Sequence, residues 1–184
     1  DHRLLVGAGR LVEFKGYHVL IQAVALLPPS PPVHAVILGD GPERVALEAL
    51  ASRLGLSDRI HLPGSRENPW KYIARADAFV HPSRTEAQSL VFVEAMALGV
   101  PIIGTSGSAG IRESLDGGRR GLLVPPSDPE ALAEAISRVL GDPDLRASLV
   151  AEGLAGAGDF ALPLAVEQYE RAVGRAAGEY PEPN

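Results

Sequence analysis

The chain has 184 residues, of which 46% are hydrophobic and 22% charged, as expected for one soluble globular domain. Its net charge of −6 argues against nonspecific nucleic-acid binding, and the absence of cysteine excludes disulfides, zinc–thiolate sites and thiol catalysis. No apolar run approaches the roughly 20 residues that cross a bilayer, and the first residues resemble a strand rather than a secretory signal. We therefore expect a cytoplasmic protein.

Short apolar strands alternate with helices along the chain. Strands are predicted at residues 3–7, 33–38, 59–62, 78–80, 101–104 and 121–124. Helices are predicted at residues 17–27, 43–54, 68–75, 90–98 and 128–140, with further helix to about residue 177. This alternation predicts a doubly wound, Rossmann-like α/β domain over residues 1–177, with a parallel sheet of about six strands and helices on both faces. Residues 178–184 are predicted to form a flexible tail.

Ligands of such sheets bind beyond the carboxyl ends of the strands, where the first loop holds Arg10 and Lys15 between glycines. A flat guanidinium and a mobile ammonium suit a pyrophosphate, although two surface cations beside ordinary turn glycines are the alternative. Gly7 and Gly9 also suggest a dinucleotide fingerprint. We reject a nicotinamide cofactor because Val12 occupies the third glycine position and a proline-rich stretch stands where the acid belongs.

The segment from Leu90 to Leu98 is apolar on every side except at Glu94, which predicts a buried helix carrying one carboxylate. Glu94 is interpreted as a ligand of ribose hydroxyls, or else as a buried acid paired with an arginine. Glu86 precedes the helix and either faces a second hydroxylated group or compensates the helix dipole. The free N–H groups at the helix start form an anion site.

The histidines and aromatic residues carry weaker signals. His34 and His61 lie in predicted strands, which indicates positions in the core or at the sheet edge. His81 ends the fourth strand and either lines the site without doing chemistry or lies outside it. Trp70 and Tyr72 either pack internally or mark a partner surface. No spacing of histidines and acids suggests a metal centre.

Several motifs in this order resemble the family-4 retaining glycosyltransferases, and the likeness covers nearly the whole chain. They are Gly9-Arg-Leu, Lys15-Gly16, Gly39-Asp-Gly-Pro42, Pro82-Ser83, Glu86 and Glu94 with seven residues between them, Ala109-Gly-Ile-Arg-Glu113 and Gly121-Leu-Leu-Val-Pro125. The resemblance implies one half of a GT-B fold, the C-terminal half that binds the nucleotide-sugar donor. It also implies an N-terminal domain outside this chain, which would supply the acceptor site and any peripheral membrane association.

The resemblance further implies a role for each matching position. Arg10 and Lys15 would hold the donor diphosphate and stabilise the leaving nucleotide, and Glu86 would contact the transferred sugar, so these three form the implied catalytic set. The nucleotide base would lie near residues 62–66, with no metal or other cofactor and with retention of anomeric configuration. The implied donor-binding residues are Gly9, Arg10, Lys15, Gly39, Leu62, Gly64, Arg66, Glu86, Ser89, Leu90, Val91 and Glu94.

One segment departs from the family pattern. The family usually places glycine or proline after the first glutamate and glycine again near the helix start, whereas this chain has Ala87-Gln-Ser89. Two alternatives to a glycosyltransferase stay open. One is a GT-B-like sugar-nucleotide epimerase, and the other, which this departure favours, is a non-catalytic subunit that binds nucleotide sugars.

Overall fold

The computed structural model describes residues 2–87 and 89–160. In this part of the chain, six strands form one parallel sheet in the order β3-β2-β1-β4-β5-β6. The strands are β1 (Arg3–Ala8), β2 (Val33–Leu38), β3 (Ile60–Gly64), β4 (Ala78–His81), β5 (Ile102–Thr105) and β6 (Leu122–Val124). The predicted doubly wound sheet is confirmed, and β3 continues two residues beyond its predicted end.

Helices cover both faces of the sheet. They are α1 (Tyr17–Leu26), α2 (Arg44–Arg53), α3 (Trp70–Ile73), α4 (Leu90–Ala97), α5 (Ala109–Ser114), α6 (Pro129–Gly141) and α7 (Pro143–Ala157). Short 3-10 turns occupy Glu13–Lys15, Asp116–Gly118 and Gly158–Phe160. The helix predicted to continue to about residue 177 and the tail at 178–184 lie partly or wholly outside the described residues. Within residues 2–87 and 89–160, no helix combines the length and apolarity that a bilayer crossing requires.

Successive side chains of the central strands point to opposite faces of the sheet, so the core has two layers. Leu5 and Val80 pack toward α1, α2 and α6, whereas their neighbours Val6 and Phe79 pack toward α3, α4 and α5. Both sets are fully buried, which explains why these strands are continuously apolar in sequence.

Capping residues fix where the last two described helices begin. Asp128 and Asp142 cap α6 and α7 by accepting hydrogen bonds from Ala131 N (2.8 Å) and Leu145 N (2.9 Å). A proline follows each capping residue, at a position where its missing N–H costs nothing. By contrast, α5 is absent from the predicted elements because six residues make fewer than two turns and show no apolar period.

Helix α4 corrects one expectation. Phe92, Ala95 and Met96 are buried, but Leu90 is 74% exposed and Glu94 is exposed as well. The prediction of a helix buried all round was therefore wrong. A helix in the outer layer of a three-layer domain buries only the side facing the sheet and its neighbours, and an apolar composition does not reveal which side that is.

Candidate functional site

The site lies where β1 and β4 are neighbours at the centre of the sheet, because loops after central strands diverge there and leave a crevice. The loop after β1 and the loop after β4 are joined by a hydrogen bond from Arg84 N to Phe14 O (2.8 Å). Gly16 has φ +71°, and a Cβ there would collide with Pro82 O, so only glycine lets the two loops approach this closely.

This contact brings together a cation, an acid and a histidine. Lys15 Nζ donates to Glu86 Oε1, and His81 Nε2 lies 2.7 Å from the same oxygen. The side chains of Lys15 and Glu86 are 16% and 13% exposed. Among the described residues, Glu86 Oε2 has no hydrogen-bond partner, so one carboxylate oxygen remains available to a ligand.

The cluster sets the protonation of its own members. Burial pulls the pKa of Glu86 upward, but hydrogen bonds from His81 and Lys15 outweigh this effect and lower the pKa to about 2. Burial lowers the pKa of His81, and its Nδ1 is buried without a hydrogen-bond partner in the described part of the chain. A proton on Nδ1 would be unpaired, so His81 is neutral and donates from Nε2–H to the carboxylate.

Tyr17 closes the floor of the site beneath Gly9. A Cβ at Gly9 would lie 2.9 Å from the Tyr17 hydroxyl and 3.9 Å from Lys15 Cδ. This hydroxyl is buried without a partner among the described residues, and burial together with the charge of Glu86 raises its pKa. No sequence pattern pointed to Tyr17, since an aromatic residue at a helix start usually serves the core.

Ser108 holds the main chain of Glu86. Its Oγ accepts from Glu86 N (3.0 Å) and donates to Glu86 O (2.9 Å). Gly110 lies so close to Ala87 that a Cβ would collide with the Ala87 carbonyl oxygen. The loop after β5 follows the carboxyl end of a predicted strand, but no sequence pattern singled out Ser108.

The start of α4 lies next to this cluster in the chain. Ser89 is buried and extended, and its side chain makes no capping hydrogen bond. The N–H groups of the first turn, including those of Leu90 and Val91, therefore have no side-chain cap. Glu94 is exposed and forms no ion pair with any residue in the described ranges, so the alternative of a buried acid paired with arginine is wrong.

A second part of the site is a cleft of about 360 Å³ beside Gly9. Arg10, Gly39 and Arg66 line it together with Asp40 and other residues, and Arg10 is exposed at its side. A Cβ at Gly39 would collide with Gly9 O, so these two loops also touch through backbone alone. The cleft thus collects predicted residues from the loops after β1, β2 and β3.

Leu62 and Gly64 support this cleft through their main chains. Gly39 N donates to Gly64 O (3.1 Å), and Arg44 donates to Leu62 O (2.8 Å) and Gly39 O (3.2 Å). Arg44 also pairs with Asp40 at 3.0 Å, so one guanidinium ties the loop after β2 to strand β3. Sequence reasoning missed Arg44, because a polar residue on a helix gives no sign of the carbonyl groups it will reach.

The remaining sequence candidates lie outside the cluster. His34 and His61 lie on β2 and the edge strand β3 with their ring nitrogens 3.4 Å apart, so the expected position near a sheet edge is confirmed for His61. Trp70 is 46% exposed on α3, and Tyr72 is half-buried. No group of three or more histidine or acidic side chains within residues 2–87 and 89–160 is arranged to hold a metal.

The chain is similar in sequence to two named glycosyltransferases. The lipopolysaccharide core biosynthesis glycosyltransferase LpsE of Rhizobium meliloti is 38% identical over 153 residues, which are 83% of this chain and 44% of LpsE. The D-inositol 3-phosphate glycosyltransferase of Corynebacterium urealyticum is 37% identical over 151 residues, which are 77% of this chain and 35% of that protein.

Among solved structures, Anabaena HepE in complex with UDP superimposes with a TM-score of 0.85 at 30% identity, over 94% of this chain and 49% of HepE. HepE has also been solved with UDP-glucose. The chain thus spans about half the length, or less, of the relatives it matches, and its sheet corresponds to one half of a GT-B fold. The sequence model of the Glycosyl transferases group 1 family matches residues 1–154, and the chain therefore belongs to that family.

Proposed function

We propose that this chain is the donor-binding half of a retaining glycosyltransferase, which binds a nucleotide-diphosphate sugar for transfer to an acceptor hydroxyl. The observation that carries the proposal is the meeting of Lys15 and Glu86 beside Gly9, at the crevice between β1 and β4. Support for a UDP-sugar comes from HepE, which is similar over this half and has been solved with UDP and UDP-glucose.

In this proposal two cations and a helix start share the diphosphate. Arg10 is exposed beside the cleft, and Lys15 reaches the site along Gly9. The uncapped N–H groups of Leu90 and Val91 at the start of α4 add donors and the positive end of the helix dipole. These groups would offset the charge on the leaving nucleotide, so we propose that no metal or other cofactor is required.

The sugar and the nucleoside then extend in opposite directions from the diphosphate. Glu86 Oε2 would accept a hydrogen bond from a hydroxyl of the transferred sugar, because Oε1 is already occupied by Lys15 and His81. The base would enter the cleft beside Gly39 and Arg66, near the main chains of Leu62 and Gly64. Exposed Glu94 would bind the ribose.

Transfer itself requires groups beyond the donor site. We propose that another domain of the whole protein supplies the acceptor site and any contact with a membrane surface, and that the protein acts in the cytoplasm. The departure at Ala87-Gln-Ser89 adjoins the predicted sugar position and bears on which sugar is accepted.

Calorimetric titration of UDP and GDP into the 184-residue chain tests donor binding. A charge-assisted hydrogen bond contributes about 1.5–3 kcal/mol, so Arg10→Ala is expected to weaken binding by about tenfold or more. Arg53→Ala, an exposed arginine on α2 remote from the site, is the matched control and is expected to bind as wild type does. Equal affinities for wild type and Arg10→Ala would refute the role of Arg10.

Turnover by the full-length protein separates the proposed activity from its two alternatives. Transfer to an acceptor with retained configuration supports the glycosyltransferase. Epimerised nucleotide sugar formed without any acceptor would identify an epimerase. Binding without turnover would identify a non-catalytic subunit.

A further inference from the structure

His81 is a buried polar group of the site, and the proposed function gives it no part in donor binding. Its side chain is 1% exposed and packs between two aromatic rings. The Phe79 ring lies 6.3 Å away in a nearly parallel orientation, and the Phe92 ring lies 5.1 Å away edge-on. A side chain packed in this way has no room to move when a ligand arrives.

Lys15 and His81 donate to the same oxygen of Glu86, but they differ in mobility and in charge. Lys15 carries a compact charge on a flexible stem, and a diphosphate with its higher negative charge competes with Glu86 for that ammonium. When the diphosphate takes Lys15, His81 is the one side-chain donor left to Glu86 among the described residues. Backbone contacts from Ser108 hold the main chain of Glu86 but not its carboxylate.

We propose that His81 is a positioning residue, whose Nε2–H holds Glu86 Oε1 so that Oε2 stays directed at the donor sugar after Lys15 has moved to the diphosphate. This inference rests on the proposed function. Its chemistry requires a neutral imidazole with the proton on Nε2, since a buried Nδ1–H would have no acceptor in the described part of the chain. A neutral donor also tolerates the ammonium of Lys15 beside it.

Replacing His81 is expected to weaken only the binding of the donor sugar. Without His81, the Glu86 carboxylate follows Lys15 or turns away, and the sugar loses its acceptor. The diphosphate and the base keep all their contacts. A purely structural role for His81 would instead weaken every nucleotide ligand to the same degree.

The test is calorimetric titration of UDP and UDP-glucose into the full chain, read as the ratio of the UDP-glucose Kd to the UDP Kd. In His81→Leu we expect this ratio to rise by about tenfold, as for loss of one hydrogen bond to an ionised group. His81→Gln restores an N–H donor at the same distance along the side chain and should return the ratio to near its wild-type value. Adding Glu86→Gln to His81→Leu should raise the ratio no further. His34→Leu is the matched control, because His34 lies near the amino ends of the strands and the site lies at their carboxyl ends.

Two results separate this inference from the proposed function. If wild type binds neither nucleotide, the proposed function fails and the inference fails with it. If wild type binds both, but His81→Leu shifts both affinities equally, donor binding stands and the positioning role is overturned.

A ligand-free measurement covers the case in which His81→Leu does not fold. Imidazole ¹⁵N shifts of the wild-type chain, with His81 assigned by its loss in His81→Gln, report which ring nitrogen carries the proton. The inference requires a protonated Nε2 and a bare Nδ1 at neutral pH. The opposite tautomer would overturn it.

Discussion

Replacing Glu86 by glutamine is expected to tighten the binding of UDP, although Glu86 belongs to the proposed catalytic set. In the free chain Glu86 occupies the ammonium of Lys15, so a diphosphate must displace it before it can bind there. The variant Glu86→Gln keeps the shape of the side chain but removes the charge that competes with the ligand. Binding of the diphosphate then starts from a Lys15 that is easier to release.

The structure sets the size of this effect. Both side chains are mostly buried, at 16% and 13% exposure, so the pair is not the weak type found on open surfaces. A hydrogen bond to a charged group contributes about 1.5–3 kcal/mol, and a neutral partner retains about half of that. The difference of about 0.75–1.5 kcal/mol corresponds to an about four- to twelvefold lower Kd for UDP.

Calorimetric titration of UDP into wild type and Glu86→Gln measures the change directly. The exposed Glu134 on α6 provides the matched control, because Glu134→Gln makes the same charge change away from the site. The gain should be specific to Glu86→Gln and should be lost when Lys15→Gln is added. Unchanged or weaker binding of UDP by Glu86→Gln would refute the competition between carboxylate and diphosphate.

Three further predictions concern stability. The pKa of Glu86 falls from 4.5 to about 2 on folding, so ionised Glu86 stabilises the folded chain by up to about 3 kcal/mol. This stabilisation is present above pH 4.5 and is lost as the pH falls toward 2, and urea unfolding of Glu86→Gln should not show that loss. Folding lowers the pKa of His81, so this residue's contribution to the free energy of unfolding is present above pH 6.5 and lost as the pH falls below it. His81→Gln should therefore flatten the decline in stability below pH 6.5, apart from the share of that decline due to His34. An unchanged slope would contradict a neutral His81. Tyr17→Phe removes a buried hydroxyl that has no partner within residues 2–87 and 89–160, so thermal unfolding should show no loss of stability. A clear fall in Tm would reveal a partner for that group.

The fold could be predicted from the sequence because its signals are local. Continuous apolar strands such as the one at residues 78–80 require cover on both faces, and alternation with helices then leads to a parallel sheet. The loops of the site followed from the same reasoning, since ligands bind at the carboxyl ends of such strands. Arg10 and Lys15 could be singled out because cations beside glycines in such a loop are chemically conspicuous.

The side-chain geometry of the site could not be predicted in this way. Lys15 and Glu86 are 71 positions apart, and their sharing of one oxygen with His81 follows from the neighbouring positions of β1 and β4 in the sheet. The exposed side of α4, which carries Leu90 and Glu94, was likewise decided by packing against one layer.

The sequence by itself therefore determined the class of fold, the family and the loops that carry the site, because apolar periods, glycines and ordered motifs are properties of short segments. Only the tertiary structure decided that Lys15 is already paired, that His81 donates to the same Glu86 oxygen, and that the second Glu86 oxygen has no partner among the described residues. These are distances between atoms of different loops, and such distances exist only once the strands have taken their order in the sheet.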